Sequence, residues 1–385
     1  MKIMQLCFTK MVNAAGGAEK VFVNMSNYFS ADHDVVDVGC DENIGKPFYK
    51  LNDNVKWINL GESCDIKIPL HIKVANELVK IARKVGLKLE YPRETYVRNK
   101  IMPNLKMLLE VEKPDVIVVY EERALVAIAE AGYDLSKVVN MFHMNSELLL
   151  QSFSDKQKDI LKKVRINQVL LESDKSNMIE HGIKNTICIP NIVPQYEDVS
   201  NVSGSKVIVS VGRLNKKHKR QHLLVEAFSK ISSKYPEWEV HFYGDDAVPA
   251  NYKKELINLI QKYHLEDRCI LKGKTDNIPK ILQQSAIFAF PSAYEGFGLA
   301  LTEGMSMGLP AVGFKGCAAV NEIIVNGSNG ILADDNVDSL ALAIEELICD
   351  EDKRCKYGLQ AKEDMENYSA EKIYGKWNEL FLSME

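Results

Sequence analysis

Short apolar runs alternate with amphipathic stretches along nearly the whole chain. Two of the amphipathic stretches, 19–29 and 72–85, carry apolar residues at helical spacing. Buried strands that alternate with such helices are typical of a parallel sheet covered on both faces. In the first half of the chain the predicted strands are 3–8, 33–40, 55–60, 115–122, 138–144, 166–173 and 186–193.

The alternation breaks at 193–206, "VPQYEDVSNVSGSK", where Pro, Asp, Ser, Asn and Gly cluster. We interpret this segment as an interdomain linker, and a long surface loop is the alternative. Beyond it the alternation resumes, and helical patterns fill the chain from about 338 to 382. The predicted strands of the second half are 206–212, 239–244, 269–273, 286–292, 310–314 and 329–333.

The pattern predicts an α/β protein with two doubly wound, Rossmann-like domains that face each other across a deep cleft. The expected domains are 1–195 and 196–365, and a final helix at 366–385 is expected to pack back on the first domain. Ligands of such sheets bind beyond the carboxyl ends of the strands. We therefore expect the site in the cleft.

Composition narrows the possible classes of protein. The 385 residues exceed one ordinary core, and 46% apolar with 26% charged residues is typical of a folded chain. The formal net charge of −5 argues against nucleic acid as a partner. Neither a signal peptide nor a membrane-spanning stretch is predicted. The eight cysteines form no CxxC pair and lie mostly in apolar runs, which indicates reduced, buried thiols in the cytoplasm.

The stretch 292–314, "SAYEGFGLALTEGMSMGLPAVGF", carries two carboxylates, Glu295 and Glu303. A strand precedes Glu295, and a helix is predicted to begin near 298–299. The flanking glycines let the backbone approach a ligand, and the helix N-terminus favours a phosphate. Glu303, in the second turn, suits a neutral polyol. The stretch therefore suits a sugar attached to a nucleoside diphosphate, and a capped helix with a solvated Glu is the alternative.

A basic segment, "VGRLNKKHKRQHLLVEAF", follows the first strand of the second half. Arg213 could hold two phosphate oxygens in a fork, and Lys219 could add a point charge. One pocket cannot use five cations, so we expect Lys216, Lys217 and Arg220 to be solvated.

Weaker signals come from the first half. Gly16 and Gly17 open a helix after the first strand without forming a dinucleotide fingerprint. His143 ends an apolar strand on the expected cleft side, and a structural histidine is the alternative. The acidic pairs at 245–246 and 334–335 lack further ligands nearby in the sequence, so no metal is predicted.

Together these stretches resemble the retaining glycosyltransferases of family 4, which have the GT-B fold. The resemblance covers nearly the whole chain and is most specific at Glu295 and Glu303. The basic segment resembles that family's phosphate-binding segment, and "GGAEKVFVNMSNYF" resembles its glycine loop and first helix. "KGCAAVNEIIVNGSNGIL" resembles the segment just beyond, whereas Gly304 stands where the family usually has alanine.

The resemblance implies a role for each matching residue. Glu295 would contact the donor sugar and Glu303 the ribose, while Arg213 and Lys219 would hold the diphosphate. His143 would lie near the sugar as a second catalytic residue. The backbone at Leu299 and Ala300 would also reach phosphate, with Gly17 close to it, and the donor sugar loop would comprise Gly296, Phe297 and Gly298.

The implied enzyme is a hexosyltransferase that needs neither a cofactor nor a metal. It would move a hexosyl or N-acetylhexosaminyl group from a nucleotide sugar, with UDP favoured, to a saccharide or lipid-linked saccharide. The product would be a cell-surface polysaccharide or glycolipid. A sugar-nucleotide epimerase or hydrolase on the same fold is an alternative, and an inactive partner subunit is another.

The segment 67–106 reverses the charge of the chain locally. It holds ten Lys or Arg against three Glu, with apolar residues between them. Cations beside apolar residues suit a peripheral contact with anionic lipid on the inner face of a membrane. Ordinary solvated helices with buried apolar faces are the alternative.

Overall fold

The computed structural model describes residues 1–13, 16–41, 43–62, 64, 66–246 and 251–384. The chain forms two compact units. The first comprises Met1–Ile189 and Trp377–Glu385, and the second comprises Pro190–Lys376. The boundary thus lies a few residues before the expected one, and the part of the chain that returns to the first unit is shorter than 366–385.

The first unit is built on a seven-stranded parallel sheet. Its strand order is β3-β2-β1-β4-β5-β6-β7, so the order reverses between β1 and β4. The strands are β1 Lys2–Cys7, β2 Asp34–Gly39, β3 Lys56–Asn59, β4 Val116–Val119, β5 Val138–Met141, β6 Ile166–Val169 and β7 Thr186–Cys188.

The helices of the first unit connect these parallel strands. Right-handed crossovers on either side of a reversal place helices on opposite faces of a sheet. The helices are α1 Gly17–Phe29, α2 Leu70–Lys84, α3 Pro92–Glu112, α4 Glu122–Ala131, α5 Ser146–Ser152, α6 Asp155–Leu161 and α7 Glu172–Glu180, with a short 3-10 turn at Leu135–Lys137.

The second unit repeats the plan with a six-stranded parallel sheet. Its order is β10-β9-β8-β11-β12-β13, with the reversal between β8 and β11. The strands are β8 Val207–Val211, β9 Glu239–Tyr243, β10 Cys269–Gly273, β11 Ile287–Phe290, β12 Ala311–Phe314 and β13 Gly330–Ala333.

Seven helices belong to the second unit, and an eighth leads out of it. The last helix, α15, crosses the boundary between the units at Trp377. The helices are α8 Gln221–Ile231, α9 Tyr252–Lys262, α10 Ile278–Gln283, α11 Leu299–Ser306, α12 Ala318–Ile323, α13 Val337–Cys349, α14 Glu351–Met365 and α15 Ala370–Leu382, with a 3-10 turn at Glu366–Tyr368.

Every predicted apolar run forms a strand at the expected place, which confirms the α/β prediction. The central strands are buried on both faces; all four residues of β4 and of β11 are buried. Burial on both faces explains why these strands appear as unbroken apolar runs instead of alternating ones.

The predicted linker is held by hydrogen bonds to the rest of the second unit. The Ser200 N–H donates to the Met307 carbonyl at 2.8 Å, and the Arg354 Nε donates to the Val202 carbonyl at 3.0 Å. Lys362 Nζ donates to the Tyr196 carbonyl at 2.7 Å. The composition of this segment is that of a loop, but hydrogen bonds to its backbone hold it to the unit that follows.

Two expectations about side-chain burial are partly wrong. Cys349 and Cys355 are exposed thiols on helices α13 and α14, and none of the eight cysteines forms a disulfide. Within 67–106, Arg98 is buried and paired with Glu90 and Glu130, at 2.8 and 2.7 Å. That cation therefore belongs to the packing of α3 and cannot face a membrane.

None of the helices in the described parts of the chain is long and apolar enough to cross a bilayer.

Candidate active site

The second unit gathers several of its predicted site residues at the carboxyl edge of its sheet. Strands β8 and β11 are neighbours, and they end at Val211 and Phe290. The segment after β8 carries Arg213 and Lys219, while the loop after β11 carries Glu295. Carboxyl ends of parallel strands meet at one edge of a sheet, so the two loops lie side by side.

Glu295 is largely hidden between these loops. Its side chain is 9% exposed, and its Oε1 accepts a hydrogen bond from Lys219 Nζ at 2.5 Å. His218 Nε2 lies 3.5 Å from the same oxygen. Burial acts to raise the pKa of this carboxyl, but His218 and Lys219 outweigh burial and hold the pKa below its usual range. Glu295 is therefore an anion at neutral pH and cannot donate a proton as a general acid.

Lys219 links the acid to the basic segment. Its side chain is 16% exposed, and its Nζ lies 4.6 Å from the centre of the Phe290 ring. An ammonium group has three donors, of which Glu295 uses one. The remaining donors can hold phosphate oxygens while the bond to Glu295 persists.

His218 lies beside Glu295 and is not among the candidate residues predicted from the sequence. Its ring stacks on Tyr294, with the ring centres 4.3 Å apart and the planes at 5°. Its carbonyl accepts a hydrogen bond from the Ala293 N–H at 2.8 Å. The sequence signal for His218 is its position directly before Lys219.

Arg220 is not solvated, contrary to expectation. Its guanidinium donates to the carbonyls of Pro291 and Ser292, each at 2.9 Å, and lies 3.3 Å from Asp335 Oδ1. It also lies over the Phe314 ring at 4.8 Å. Arg220 therefore fixes the start of the loop that carries Glu295, and its role is to position that loop.

Arg213 differs from its neighbours in being open to solvent. It is exposed, and among the described residues its guanidinium makes no hydrogen bond or ion pair. Lys216, by contrast, pairs with Glu255 at 2.7 Å, and Lys217 is exposed. The donors of the Arg213 guanidinium are therefore open to a ligand.

Helix α11 begins at Leu299, as predicted. Gly298 precedes it at φ 86°, a left-handed conformation that favours glycine. The first N–H groups of a helix, here those of Leu299 and Ala300, have no intrahelical partner and attract anions. Glu303 lies one turn further on and is half-buried. It also acts with burial to raise the pKa of Tyr196 to about 12.

The residues of the predicted sugar loop differ in how far they are buried. Gly296 is half-buried, whereas the Phe297 ring is buried and packs edge-on against Tyr368 with the ring centres 5.5 Å apart. Phe297 can therefore offer only its backbone to a ligand. Its side chain anchors the loop to the 3-10 turn that follows α14.

Gly304 departs from the usual alanine for a packing reason. A Cβ at this position would lie 2.4 Å from Cδ2 of Phe288, which is fully buried in β11. The helix carrying Glu303 thus packs directly on an aromatic ring, and an alanine would require the ring to move.

In the first unit, His143 follows β5 at the carboxyl edge of the sheet. Its ring stacks on Tyr120, with the centres 5.3 Å apart and the planes at 13°. Its Nε2 is buried and has no hydrogen-bond partner among the described residues. Burial lowers the pKa of His143 to about 4, so the imidazole is neutral at physiological pH.

A buried polar chain supports the Tyr120 ring beneath His143. The Tyr120 hydroxyl donates to Gln5 Oε1, and Gln5 Nε2 donates to Ser26 Oγ at 2.6 Å and to Asp37 Oδ1 at 3.1 Å. Burial raises the pKa of Asp37 to about 7. The chain fixes the orientation of Tyr120 and, through stacking, that of His143.

We expect the His143 imidazole to stay neutral between pH 5.5 and 8, because its pKa lies near 4. Its ring proton resonances in NMR should therefore not shift over that range, whereas an ordinary histidine near 6.5 would titrate. A His143→Gln variant identifies the resonance. A midpoint near 6.5 for His143 would contradict the burial seen here.

Gly17 is the first residue of α1, after the loop that follows β1. Ala14 and Ala15 of the predicted glycine loop lie outside the described residues. At Gly16, a Cβ would lie 2.1 Å from Glu19 Oε2, so the Glu19 carboxylate covers the start of this helix.

The acidic pairs have structural roles. Asp335 accepts from the Gly316 N–H at 2.9 Å and Asp246 accepts from the Lys253 N–H at 2.8 Å. In the portion of the chain that the structure describes, no group of three or more His, Cys, Asp or Glu is arranged to hold a metal ion.

Comparison with known proteins agrees with this geometry. The family model described as "Glycosyl transferases group 1" matches residues 194–364, which lie within the second unit. A crystal structure of TarM from S. aureus, in complex with fondaparinux, alpha-GlcNAc-glycerol and UDP, superposes with a TM-score of 0.75. That likeness covers 99% of each chain at 19% identity.

The protein has the GT-B fold. Two curated relatives of this GT-B chain are named as glycosyltransferases. A poly(ribitol-phosphate) alpha-N-acetylglucosaminyltransferase of Staphylococcus aureus is 28% identical over 56% of this chain and 43% of its own. An uncharacterized glycosyltransferase of Haemophilus influenzae is 22% identical over 96% of this chain and 97% of its own. The domain match and these names support a transferase enzyme.

The chain spans only part of several other curated relatives. The covered share of their own length ranges from 20% to 60%.

Proposed function

We propose that the protein is a retaining glycosyltransferase of family 4. In this proposal it moves a hexosyl or N-acetylhexosaminyl group from a UDP-sugar to a saccharide or lipid-linked saccharide acceptor. The product belongs to a cell-surface polysaccharide or glycolipid. The first unit binds the acceptor and the second unit binds the donor, and the enzyme works in the cytoplasm at the inner face of a membrane.

The observation that carries this proposal is the contact between Glu295 and Lys219 beside the start of α11. A buried carboxylate, an ammonium and a helix N-terminus lie at one sheet edge. Such a set suits a ligand with an anionic part joined to a polyhydroxyl part. A nucleotide sugar is such a ligand, with the diphosphate toward the cations and helix and the sugar toward the carboxylate.

Each group has a task in the proposed reaction. Arg213, Lys219 and the first N–H groups of α11 stabilise the charge that develops on the leaving diphosphate. Glu295 orients the sugar and stabilises its oxocarbenium-like transition state. His143 supplies a neutral imidazole toward the sugar, and Glu303 binds the ribose hydroxyls.

Retention of configuration follows if the acceptor attacks from the face that the diphosphate leaves. The departing phosphate then takes the proton of the acceptor hydroxyl, so no separate general base is needed. The depressed pKa of Glu295 fits this scheme, because a carboxylate that stays ionised stabilises positive charge throughout.

The names of relatives support the choice of donor and product. UDP is present in the TarM complex, and the staphylococcal relative is named for transfer of N-acetylglucosamine to poly(ribitol-phosphate). These facts concern those proteins, and they make UDP-sugars the first donors to test.

The deciding experiment incubates the protein with a panel of UDP-, GDP- and ADP-sugars, with and without saccharide and glycolipid acceptors. We expect release of UDP to accelerate when an acceptor is added, with a new α-linked product found by NMR. Epimerised donor without release of UDP would indicate an epimerase. Release that no acceptor accelerates would indicate a hydrolase, and absence of donor binding in calorimetry would indicate an inactive partner subunit.

We expect EDTA to leave the transfer rate unchanged. In the proposed site, Arg213, Lys219 and the α11 N-terminus neutralise the diphosphate. In other phosphate sites a divalent cation performs this neutralisation. The measurement compares initial rates before and after EDTA and after added Mg²⁺ or Mn²⁺. Loss of activity that either ion restores would contradict the metal-free mechanism.

A further inference from the structure

Helix α2 in the first unit presents apolar side chains to solvent. None of its residues is fully buried. Spacings of three and four residues align the exposed side chains in one stripe along the helix. The exposed fractions are Leu70 76%, Val74 52%, Leu78 62%, Ile81 62% and, just past the helix, Val85 77%.

This apolar stripe is additional to the face that packs against the protein. Ile72, Ala75, Val79 and Ala82 are half-buried on the inner side, where α2 contacts α3. A surface helix normally has one apolar face and places polar residues opposite it. A contiguous exposed apolar patch marks an interaction site.

A row of cations runs beside the stripe. Lys73, Lys80 and Lys84 are exposed at positions that share one side of α2. Glu77 is the single acidic residue of the helix, and it pairs with Lys80 at 2.6 Å. The surface therefore combines apolar residues with a net positive edge, although the whole chain is net negative.

The same helix borders a cavity of the first unit that has both charged and apolar residues in its lining. This cavity, of about 440 Å³, includes Asn76 and Lys80 of α2 and Glu94 of α3 among its lining residues. A shallower depression shares Asn76 and Lys80 with it and continues outward to Val74 in the stripe. A cavity with charged and amide side chains for a headgroup thus opens directly beside an apolar surface.

We propose that α2 is the element by which this protein binds an anionic lipid bilayer. The stripe from Leu70 to Val85 enters the boundary between headgroups and acyl chains, and the lysine row contacts lipid phosphates. The inference rests on the proposed function and narrows its membrane contact from 67–106 to one face of α2. It also places the cavity beside lipid headgroups, where a lipid-linked acceptor would be presented.

Charge favours a bilayer over a second copy of the chain. In a two-fold symmetric dimer the same patch meets itself, so two surfaces of net positive charge would be brought together. An anionic membrane offers both an apolar phase for the stripe and phosphates for the lysines. Arg83 takes no part, because it donates to the carbonyls of Leu89 and Ser152 at 2.7 and 3.0 Å.

The test is flotation of the full chain with vesicles of phosphatidylcholine containing phosphatidylglycerol, and with phosphatidylcholine alone. We expect binding to the anionic vesicles at low salt and its loss between roughly 0.05 and 0.5 M salt, since screening shortens the reach of the lysines. Leu78→Ser with Ile81→Ser should lower binding at least about tenfold, as should Lys73→Glu with Lys80→Glu and Lys84→Glu.

Matched variants exclude general effects of polarity and charge. Met107→Ser with Val111→Ser replaces an exposed apolar pair on α3. Lys156→Glu with Lys162→Glu and Lys163→Glu reverses three exposed lysines elsewhere in the first unit. Both should bind vesicles as the unmodified protein does. Thermal unfolding midpoints show whether each variant is folded.

The inference is overturned if the unmodified protein ignores anionic vesicles at low salt, or if the Leu78 and Ile81 variant binds them normally. It is also overturned if sedimentation shows a dimer that the same variant dissociates, because the stripe then serves self-association. Calorimetry with UDP separates this result from the proposed function. If the protein binds UDP but not vesicles, the proposed donor site stands and only the membrane contact is refuted.

Discussion

Glu295→Gln is expected to lower kcat of sugar transfer by roughly 100-fold or more, as when a preorganised polar group is lost from a transition state. Glutamine keeps the size of the side chain but removes the charge that stabilises the developing oxocarbenium ion. The carboxylate is well placed for that task, since it is 9% exposed and its pKa is held below the usual range. Steady-state kinetics with the donor found in the panel supplies the measurement.

The same substitution should leave UDP binding nearly unchanged, because UDP lacks the sugar. Glu255→Gln is the matched control, since Glu255 is exposed and pairs with Lys216 in the same unit. Its kcat should equal that of the unmodified protein. Near-normal turnover in Glu295→Gln would remove Glu295 from the mechanism.

Arg213→Ala is expected to weaken UDP binding by about 1.5–3 kcal/mol, the usual contribution of a charge-assisted hydrogen bond. Binding of uridine, which has no phosphate, should change little. Arg213 is exposed and unpaired among the described residues, so its removal should not disturb the fold. Calorimetric titration of both ligands provides the comparison, with Lys217→Ala as an exposed cation on the same segment.

Lys219→Ala should weaken UDP to a similar extent and have a second effect that Arg213→Ala lacks. It leaves the buried Glu295 carboxylate without its ammonium partner, which raises the pKa of Glu295 and lowers stability. The thermal unfolding midpoint should therefore fall in this variant alone. Equal weakening of UDP and uridine by both substitutions would show that neither cation contacts the phosphates.

These two predictions depend on a contact that joins distant parts of the chain. Lys219 and Glu295 are far apart in sequence, but β8 and β11 are adjacent in the sheet. The Lys219 ammonium can therefore contact the diphosphate of a donor while it stays bonded to Glu295, which is proposed to face the sugar.

The strands and the positions of several candidate residues were predictable from the sequence, because their signals are local. A strand buried on both faces of a parallel sheet must be a continuous apolar run, and each predicted run forms a strand. The start of α11 was likewise predictable from Gly298, which adopts a left-handed conformation that other residues disfavour. Glu295 and Arg213 follow strands directly, so their place at the carboxyl edge follows from strand order.

Charged side chains in the basic segment could not be assigned from the sequence. Arg220 and Lys216 look alike there, yet Arg220 donates to two carbonyls of the Glu295 loop and Lys216 pairs at the surface. The difference depends on which loop packs opposite each side chain. His218 was missed for the same reason, since its contact with Glu295 joins segments that only the sheet brings together.

Local patterns in the chain were enough to predict the α/β class, the strands, the start of α11 and the types of residue at the carboxyl edge of the second sheet. The packing of the elements on one another was needed to show that Glu295 is a buried anion paired with Lys219, that Arg220 supports a loop, and that α2 has an exposed apolar stripe. An amphipathic pattern shows that a helix has an apolar face, but burial depends on what packs against it. For α2 the neighbouring α3 covers one face and leaves the stripe from Leu70 to Val85 in solvent.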